Sequence, residues 1–437
     1  MSASSTPLLD LAAQISDAAK AVHEFLVANG HPQPSFEADS QLEFPDAVAA
    51  PEIVACRRKL IEASRTINDL INYPTDHIRK LSLKYHDHST LRWIYHHDIA
   101  KIVPLEGDIS FTELAASANV DEDHARRMLR YAMTNRIFKE PRVGYVAHTA
   151  SSSLLVRSEG IRSWIGFGAE EGYPTSVKMP EAMEKFRGSQ SAHECAYNLA
   201  FETDLSYFQH LALFPERQKR FAVSMREATS AGGWSTSHLV SGYPWETIGE
   251  STVVDVGGST GHTCIALAEK ATSAKFIVQD LPQVVEQNKT ANHLPASLKD
   301  RIEFQGHDFF NPQPFRGGDI YLLRWILHDH PDAAVLKILR NLVPALKNGA
   351  RIILNDIVLP EPGILPAIEE RIVRHSDLEM MNLFNSRERP LADWIQLCKD
   401  VDPRLELGLI TTPPGAALSI IELIFRDGDG NGAAGAS

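Results

Sequence analysis

A glycine-rich loop follows a short run of β-branched residues in the second half of the chain. The run Val253–Val256 leads directly into Gly257 and Gly258. A loop of this kind at the end of a buried strand lets a ligand approach the backbone closely. The three-glycine dinucleotide pattern is not met, because Ser259 and His262 occupy the second and third glycine positions counted from Gly257. The loop therefore favours a ligand without a pyrophosphate.

Acidic residues end the next two predicted strands. Lys275–Asp280 ends in Asp280, which Leu281 follows, and the third strand leads to Asp308 and Phe309. An acid at the tip of the second strand can accept hydrogen bonds from both hydroxyls of a ribose. An acceptor beside an aromatic ring suits the amino group and the face of an adenine. A ligand with an amine, a ribose and an adenine but no phosphate is S-adenosylmethionine, which these strand ends predict as the cofactor. The alternative is a tight turn with unrelated surface acids.

A histidine ends the segment that contains the fourth predicted strand. The segment Asp319–His328 is largely apolar, and its last residue is His328. Because ligands bind at the carboxyl edge of a parallel sheet, His328 is expected beside the methyl donor. A neutral imidazole at that place can accept the proton of a hydroxyl group as the oxygen attacks a methyl carbon. The alternative is a structural histidine, the commoner role for any one of the 18 histidines of the chain.

The spacing of apolar residues predicts which elements position these groups. Residues 1–157 are predicted to form a helical and winged-helix region, and residues 158–245 a helical, substrate-binding region. Strands then alternate with helices, which predicts an α/β domain with a seven-stranded, mostly parallel sheet over 246–426. The Gly- and Ala-rich end, 427–437, is predicted to be a disordered tail. The predicted strands are Val253–Val256, Lys275–Asp280, Ile302–Phe304, Asp319–Leu323, Arg351–Asp356, Leu405–Thr411 and Leu418–Phe425.

A winged-helix pattern occupies residues 108–157. A capping box at Ser110 and Glu113 opens one helix, a second helix covers His124–Thr134, and a hairpin is predicted to join 137–138 to 145–146. This arrangement occurs in DNA-binding proteins, where the second helix enters the major groove. Three acids at the start of the second helix offset its three arginines. The pattern therefore favours a packing and dimerisation module over a DNA-binding one.

The composition narrows the choice of partners and compartment. The chain has 437 residues, of which 43 are Lys or Arg and 56 are Asp or Glu, and its net charge is −13. This charge opposes binding to nucleic acid or to an anionic membrane. No apolar run reaches the ~18 residues that a membrane span needs. The four cysteines form no CxxC pair, so neither a metal site nor a disulfide framework is expected, and a cytoplasmic location is predicted.

Several of these motifs together resemble the plant caffeic-acid-type and fungal sterigmatocystin-type O-methyltransferases. The resemblance implies a class I, Rossmann-like methyltransferase that uses S-adenosylmethionine to methylate a phenolic hydroxyl. It also implies a homodimer in which the winged helix is the dimerisation element. The segments that carry it are Asp-Val-Gly-Gly-x-Thr-Gly at 255–261, Asp-Leu-Pro at 280–282, Gly-His-Asp-Phe-Phe at 306–310, Arg-Trp-Ile-Leu-His-Asp at 324–329, Asp-Ile-Val-Leu-Pro at 356–360 and Arg-Glu-Arg at 387–389.

The resemblance also implies roles for individual residues. It makes His328 the general base and places two acids, Asp356 and Glu388, around it. Plant members carry Glu at the position of Asp356 and Trp at the position of His330. Further positions are implied at the cofactor, Arg324 (Lys in plant members) and Thr229, and in the acceptor pocket, Phe221, Met225 and Met380.

Three functions are compared. The favoured one is an O-methyltransferase that acts on an aromatic, polyketide-type or other secondary-metabolite hydroxyl. The second is a methyltransferase-like cyclase that keeps S-adenosylmethionine as a fixed cation, and it has no need of the base set His328, Asp356 and Glu388. The third is a winged-helix, DNA-binding regulator that senses S-adenosylmethionine, which the net charge of −13 opposes.

Overall fold

A computed structural model describes residues 8–45, 50–230, 232–291 and 294–427. The predicted disordered tail lies outside the described residues, except for Asp427. The chain divides into two compact units. Among the described residues, the first unit contains those up to Tyr173 together with Pro366–Ile368, and the second contains Pro174–Leu365 and those from Glu369 onwards. Within the described ranges, none of the helices combines the length and hydropathy needed to cross a bilayer.

The N-terminal unit is helical apart from two short strands. Its winged-helix part packs around the buried side chains of Phe111, Leu114, Leu129 and Phe138. The elements of this unit are α1 (Leu8–Ala28), α2 (Pro51–Ile71), α3 (Tyr73–Ser82), α4 (Tyr85–His96), α5 (Ile99–Ile102), β1 (Ile109–Ser110), α6 (Phe111–Ala118), α7 (Glu122–Thr134), β2 (Tyr145–Val146), α8 (Ala150–Arg157) and α9 (Glu159–Phe167).

The winged helix differs from its prediction in one detail. The capping box at the start of α6 is present, with Ser110 and Glu113 bonded in both directions. Strand β2, however, pairs with β1 and not with 137–138. Arg136 and Phe138 have φ values of 62° and 63°, and this left-handed backbone cannot continue an extended strand. In the described residues, the predicted hairpin is represented only by an isolated antiparallel β-bridge between Lys139 and Ala147.

The C-terminal unit contains helices on the path to, and around, a large sheet. The helices are α10 (Tyr173–Ser176, which begins at the boundary), α11 (Met179–Lys185), α12 (Ala196–Phe201), α13 (Tyr207–Leu211), α14 (Pro215–Ala228), α15 (Thr236–Gly242), α16 (His262–Lys270), α17 (Pro282–Ala291), α18 (Asp332–Leu342), α19 (Ala367–Phe384) and α20 (Leu391–Val401). The strands are β3 (Thr252–Val256), β4 (Lys275–Asp280), β5 (Ile302–Gly306), β6 (Ile320–Arg324), β7 (Arg351–Asp356), β8 (Val358–Leu359), β9 (Arg389–Pro390), β10 (Leu405–Thr411) and β11 (Ser419–Phe425).

The large sheet confirms the predicted α/β fold. It has seven strands in the order β10-β11-β7-β6-β3-β4-β5. The five strands from β3 to β7 are parallel, whereas β11 is antiparallel to both β7 and β10. Each of the seven predicted strands is present, with ends that differ by no more than two residues.

Successive residues of each strand face opposite sides of this sheet, and both sides are covered. Val254, Tyr321 and Leu354 belong to a core that includes residues of α18 and α20. Their neighbours Val253 and Leu322 belong to a second core with residues of α15 and α16. Burial on both faces explains why the strands are continuous apolar runs and not alternating ones.

The strand order places the two chemical motifs side by side. From β3 the chain first builds outwards through β4 and β5, and then returns to the other side of β3 with β6 and β7. The carboxyl ends of β3 and β6 therefore flank the point at which the strand order reverses, where ligands bind in folds of this type. The glycine loop follows β3, and His328 follows β6.

Candidate active site

The glycine loop is held against the neighbouring strand by its backbone. The amides of Gly257 and Gly258 both donate to the Gln279 carbonyl, at 2.8 and 2.9 Å. Gly257 and Gly261 have φ values of 79° and 75°, a conformation that glycine adopts without strain. Asp255 is buried beneath the loop, where the Cys264 thiol donates to its Oδ2 at 3.3 Å, and burial raises the pKa of this carboxyl to about 6.

Asp280 is tied to the glycine loop. Its Oδ2 accepts a hydrogen bond from the Ser259 amide at 2.9 Å, and its Oδ1 accepts one from the Leu281 amide at 2.8 Å. Burial raises the pKa of Asp280, although both amides oppose this effect. Each carboxylate oxygen has further lone pairs for a ligand hydroxyl. The side chain is thus fixed at the tip of β4, as the sequence predicted.

Asp308 lies at the next strand end and is linked to Asp280. The His307 amide donates to the Asp280 carbonyl at 2.8 Å. Asp308 itself caps its own turn, with Oδ1 accepting from the Phe310 amide at 2.9 Å and Oδ2 from the Asn311 amide group at 3.1 Å. Both acids therefore have fixed side chains at the same edge of the sheet.

An aromatic group surrounds the Phe309 position. The His330 ring contacts Phe309 and Phe310 edge-on, with centroid distances of 5.5 and 5.3 Å. Burial, and then the charges of His328 and Arg389, lower the pKa of His330 to about 3. His330 is therefore a neutral ring at neutral pH, in the place where plant enzymes carry Trp.

Arg324 and Thr229 are both buried near residues that flank the glycine loop. Arg324 is 8% exposed and its Nη2 donates to the Trp234 carbonyl at 2.6 Å, while its Nε has no hydrogen-bond partner. Burial lowers the pKa of Arg324 to about 10, against the attraction of Asp255 and Asp356. Thr229 is buried and its hydroxyl lies 3.4 Å from Nε2 of His262, the first residue of the helix that follows the loop.

His328 is paired with Glu388. The His328 Nδ1 lies 2.9 Å from Glu388 Oε1, and the two residues are 6% and 2% exposed. The same oxygen accepts a hydrogen bond from the Ser376 hydroxyl at 2.7 Å, and the Glu388 amide donates to Asp377 Oδ1 at 2.9 Å. Helix α19 thus fixes the carboxylate that orients the histidine. Ser376 and Asp377 were not predicted, because they belong to no motif that the sequence displays.

Two further acids face His328. Asp329 Oδ1 lies 3.5 Å from His328 Nε2. Asp356 is fully buried, and neither of its oxygens has a hydrogen-bond partner of standard geometry. Burial lowers the pKa of His328, but the negative charges of Glu388, Asp329 and Asp356 outweigh it and raise that pKa to about 10. Asp356 thus acts on the histidine through its charge, whereas the hydrogen bond belongs to Glu388.

Burial has the opposite effect on two of these acids. It raises the pKa of Asp329 to about 7 and that of Asp356 to about 6, although the positive charge of His328 opposes both shifts. Perturbed groups of this kind cluster at functional sites. Among the described residues, no group of three or more His, Cys, Asp or Glu side chains is arranged to hold a metal ion.

Trp325 supports the imidazole from one face. Its ring and that of His328 are nearly parallel, at 10°, with centroids 5.9 Å apart. Trp325 has a φ of 56°, which is an unusual conformation for a bulky residue and is found where the surroundings enforce it. The sequence did not single out this residue, since nothing in a pattern of residue types reveals a left-handed backbone.

The residues predicted to line the acceptor pocket lie on two helices. Phe221 of α14 contacts Tyr207 and Phe208, with centroid distances of 5.6 and 5.8 Å. Phe384, at the end of α19, stacks on Phe208 at 5.3 Å. These rings form an aromatic group, which we call the aromatic wall. The sequence did not predict that Tyr207, Phe208 and Phe384 contact Phe221 or one another, because their spacing is that of ordinary core positions.

The two predicted methionines fall next to this wall by helical spacing. Met225 lies one turn after Phe221 on α14. Met380 is buried and lies one turn before Phe384 and one turn after Ser376 on α19. Because residues four apart share a helix face, Met380 falls between the aromatic wall and the Glu388 pair. Thioether and ring groups suit a flat aromatic molecule.

The chemistry of the donor set fits S-adenosylmethionine. Asp280 offers carboxylate oxygens of the kind that ribose hydroxyls need, and Asp308 lies beside the Phe309 ring, where an amino group and an adenine face find partners. Across the strand-order reversal, the His328–Glu388 pair can accept a proton at Nε2.

Comparisons with known proteins agree with this geometry. Residues 181–401 match the family described as the O-methyltransferase domain, and residues 80–158 match the O-methyltransferase dimerisation domain. The O-methyltransferase VdtC of Byssochlamys spectabilis is 38% identical over 424 residues, which cover 96% of this chain and 98% of that protein. The chlorophenol O-methyltransferase of Trichoderma longibrachiatum is 35% identical over 424 residues, covering 96% and 90%.

Solved structures share the fold at lower identity. OxaC in complex with SAH and oxaline has a TM-score of 0.77 at 20% identity, covering 96% of this chain and 99% of that one. A structure described as a pericyclic reaction enzyme has a TM-score of 0.71 at 24% identity, covering 94% and 99%. The family matches and the near full-length relatives decide the assignment. The chain belongs to the S-adenosylmethionine-dependent O-methyltransferase family.

Proposed function

We propose that this O-methyltransferase methylates a phenolic hydroxyl of an aromatic secondary metabolite, with His328 as the general base. The observation that carries the proposal is the 2.9 Å contact between His328 Nδ1 and Glu388 Oε1. A carboxylate on Nδ1 fixes the tautomer that leaves Nε2 as the proton acceptor and stabilises the imidazolium that forms. Asp356 adds a second negative charge to the same side chain.

The residues around the donor have distinct tasks in this proposal. S-adenosylmethionine supplies an electrophilic methyl group on a positively charged sulfur. The loop and strand ends orient it, and the remaining proposed contacts are Arg324 and Thr229. Asp280 accepts hydrogen bonds from its ribose, and Asp308 with Phe309 holds its adenine. The loop and strand-end residues are Gly257, Gly258, Asp280, Leu281, Asp308 and Phe309.

The acceptor is proposed to lie against the aromatic wall. Phe221, Met225 and Met380 would contact its ring system, and its hydroxyl would point to His328 Nε2. A phenol has a pKa near 10 and is a weak nucleophile when protonated, so proton removal as the oxygen attacks speeds the reaction. His328 is 6% exposed, and this limited access of water favours a transfer in which opposite charges neutralise each other.

A transfer assay with labelled donor tests the proposal. The full-length chain is incubated with S-adenosylmethionine carrying a labelled methyl group and a panel of phenols that includes chlorophenols and polyketide-type aromatics. We expect label in the ether product of at least one phenol. If no phenol takes up label, while a polyene substrate is cyclised, the chain is a cyclase and the proposal is wrong. The retained His328, Asp356 and Glu388 support transfer, because a cyclase has no need of them.

We also propose a cytoplasmic homodimer. The match to a dimerisation domain supports the dimer, and large apolar side chains such as Ile71, Tyr73 and Ile78 are exposed in the isolated chain. The four cysteines are free thiols, which suits a reducing compartment. The division into parts at 1–157, 158–245 and 246–426 is proposed on the sequence patterns described above.

The activity should rise with pH through the neutral range. His328 must be neutral at Nε2 to accept a proton, and its pKa is raised to about 10 by the surrounding carboxylates. The imidazole is therefore mostly protonated at low pH, and the fraction that is neutral grows as the pH increases. With a phenol that stays protonated over about pH 6–9, kcat/KM is expected to increase across that range. Glu388→Gln removes one of the charges that raise the pKa, so its rising limb should move to lower pH. A pH-independent rate, or an unmoved limb in Glu388→Gln, would contradict the assignment.

A further inference from the structure

The proton that His328 accepts must leave a buried site. The imidazole side chain is 8% exposed, and its Nδ1 is occupied by Glu388. The proton of each acceptor hydroxyl arrives at Nε2 if His328 is the general base. The histidine can serve again only after that proton has been removed, so turnover needs a path from Nε2 to solvent.

The three acids around His328 differ in their access to solvent. The Glu388 side chain is 0% exposed, and its Oε1 already accepts from both His328 and Ser376. Asp356 is also 0% exposed. The Asp329 side chain is 15% exposed and its Oδ1 lies 3.5 Å from Nε2. Only Asp329 of these three acids therefore combines contact with the proton-bearing nitrogen and contact with water.

Arg389 holds the turn that carries Asp329 in place. The guanidinium of Arg389 is 0% exposed and donates to the carbonyls of Leu327 and His330, at 3.1 and 2.7 Å. These bonds fix the turn on both sides of His328 and Asp329. The charged and titratable groups that face this pair are Glu388, Asp356, His330 and Arg389.

We propose that Asp329 carries protons between His328 Nε2 and solvent. The Nε2–H bond breaks, a new O–H bond forms on the Asp329 carboxylate, and the imidazole becomes neutral. The carboxylic acid then gives the proton to water and returns to the carboxylate, so atoms and charge balance in each cycle. At 3.5 Å the transfer proceeds directly after a small approach or through one bridging water. This inference rests on the proposed function of His328, through which Asp329 acts as a positioning and proton-transfer residue.

The acid has the proton affinity that this task requires. Burial raises the pKa of Asp329 to about 7, against the charge of His328. The pKa of the imidazolium is about 10, so a carboxyl with a pKa of about 7 takes up its proton more readily than an ordinary aspartate does, and it can still release that proton to water. An aspartate with its ordinary pKa near 3.9 would hold the proton far too briefly.

The test compares Asp329→Asn with Asp356→Asn. Both changes remove a carboxylate near His328, but only the first removes the acid that reaches solvent. With a phenol that the wild-type chain methylates, Asp329→Asn is expected to lower the steady-state rate roughly ten-fold in dilute buffer. Imidazole at tens of millimolar should restore much of that loss in proportion to its concentration, because a small base can replace the missing carrier. Asp356→Asn should show no such rescue. Asp329→Glu, which keeps a carboxylate, should retain most of the wild-type rate.

The outcomes separate the relay from the proposed function. Unchanged turnover in Asp329→Asn, a loss that imidazole does not restore, or equal rescue of Asp356→Asn would overturn the relay alone. If Asp329→Asn fails to fold, as circular dichroism and donor binding would report, Asp329→Glu decides, and a ten-fold loss there would also overturn it. If the wild-type chain methylates no phenol, or if His328→Ala is fully active, the proposed function fails and the relay with it.

Discussion

Replacing His328 with Ala is expected to lower kcat/KM about 10²–10⁴-fold for a phenol of ordinary acidity. Glu388 Oε1 lies 2.9 Å from the Nδ1 of His328, which leaves Nε2 as the proton acceptor. The alanine side chain has no such acceptor. The affinity for S-adenosylmethionine should stay nearly unchanged, because none of the proposed donor contacts involves His328. Steady-state kinetics and titration calorimetry on the same preparation measure the two quantities.

The acidity of the acceptor provides the control. Pentachlorophenol is already ionised at neutral pH and needs no base, so His328→Ala should lose far less activity with it than with a weakly acidic phenol. An equal loss with both acceptors would show that the histidine has a structural role. Glu388→Gln should give an intermediate defect with the weakly acidic phenol, because the imidazole remains but is a weaker base and has lost the carboxylate that orients it and stabilises its protonated form.

Asp280→Ala is expected to weaken the binding of S-adenosylmethionine about 100-fold. Two hydrogen bonds from ribose hydroxyls to a carboxylate are lost, at about 1.5 kcal/mol each, and about 1.4 kcal/mol corresponds to ten-fold in affinity. The carboxylate also fixes the loop through the Ser259 amide at 2.9 Å, and that contribution is lost as well. Calorimetry with S-adenosylmethionine and with its demethylated product should show the same weakening, since both share the ribose.

A second substitution at position 280 separates the loss of ribose binding from the loss of the bond that fixes the glycine loop. Asp280→Asn keeps one carbonyl oxygen for the loop amide but loses the charge, so its affinity should lie between those of the wild type and Asp280→Ala. Asp300→Ala removes an exposed acid from the same part of the chain and serves as the control for net charge. Wild-type donor affinity in Asp280→Ala would rule out the ribose contact.

The sheet and its carboxyl edge could be predicted because buried parallel strands, and the polar residues that end them, are recognisable in the amino-acid sequence. Parallel strands buried on both faces are apolar runs, and Val253–Val256 and Arg351–Asp356 stand out for this reason. The carboxyl edge then follows from the chain direction alone, so Asp280 and His328 could be placed beside a ligand before any contact was known. The pairing of His328 with Glu388 required the family motif, since 60 residues separate them.

The parts that escaped prediction depend on contacts between distant segments. Ser376 gains its role only because α19 lies against Glu388, and no residue type announces such a contact. The left-handed φ of Trp325 and of Phe138 results from surrounding packing and not from local preference. Asp329 was visible beside His328 in the sequence, but its distance to Nε2 and its partial exposure are properties of the folded turn.

Helix α19 carries both a residue that positions the Glu388 carboxylate and a residue of the aromatic wall. Ser376, which bonds to Glu388, and Phe384, which belongs to the aromatic wall, lie two turns apart on one rigid element, with buried Met380 between them. A bulkier or smaller side chain chosen at 380 to admit a new compound would tilt or shift this rod. A change that alters substrate selectivity would then also alter the proton affinity of His328, through Ser376 and Glu388. Variant libraries at position 380 should therefore be screened at several pH values.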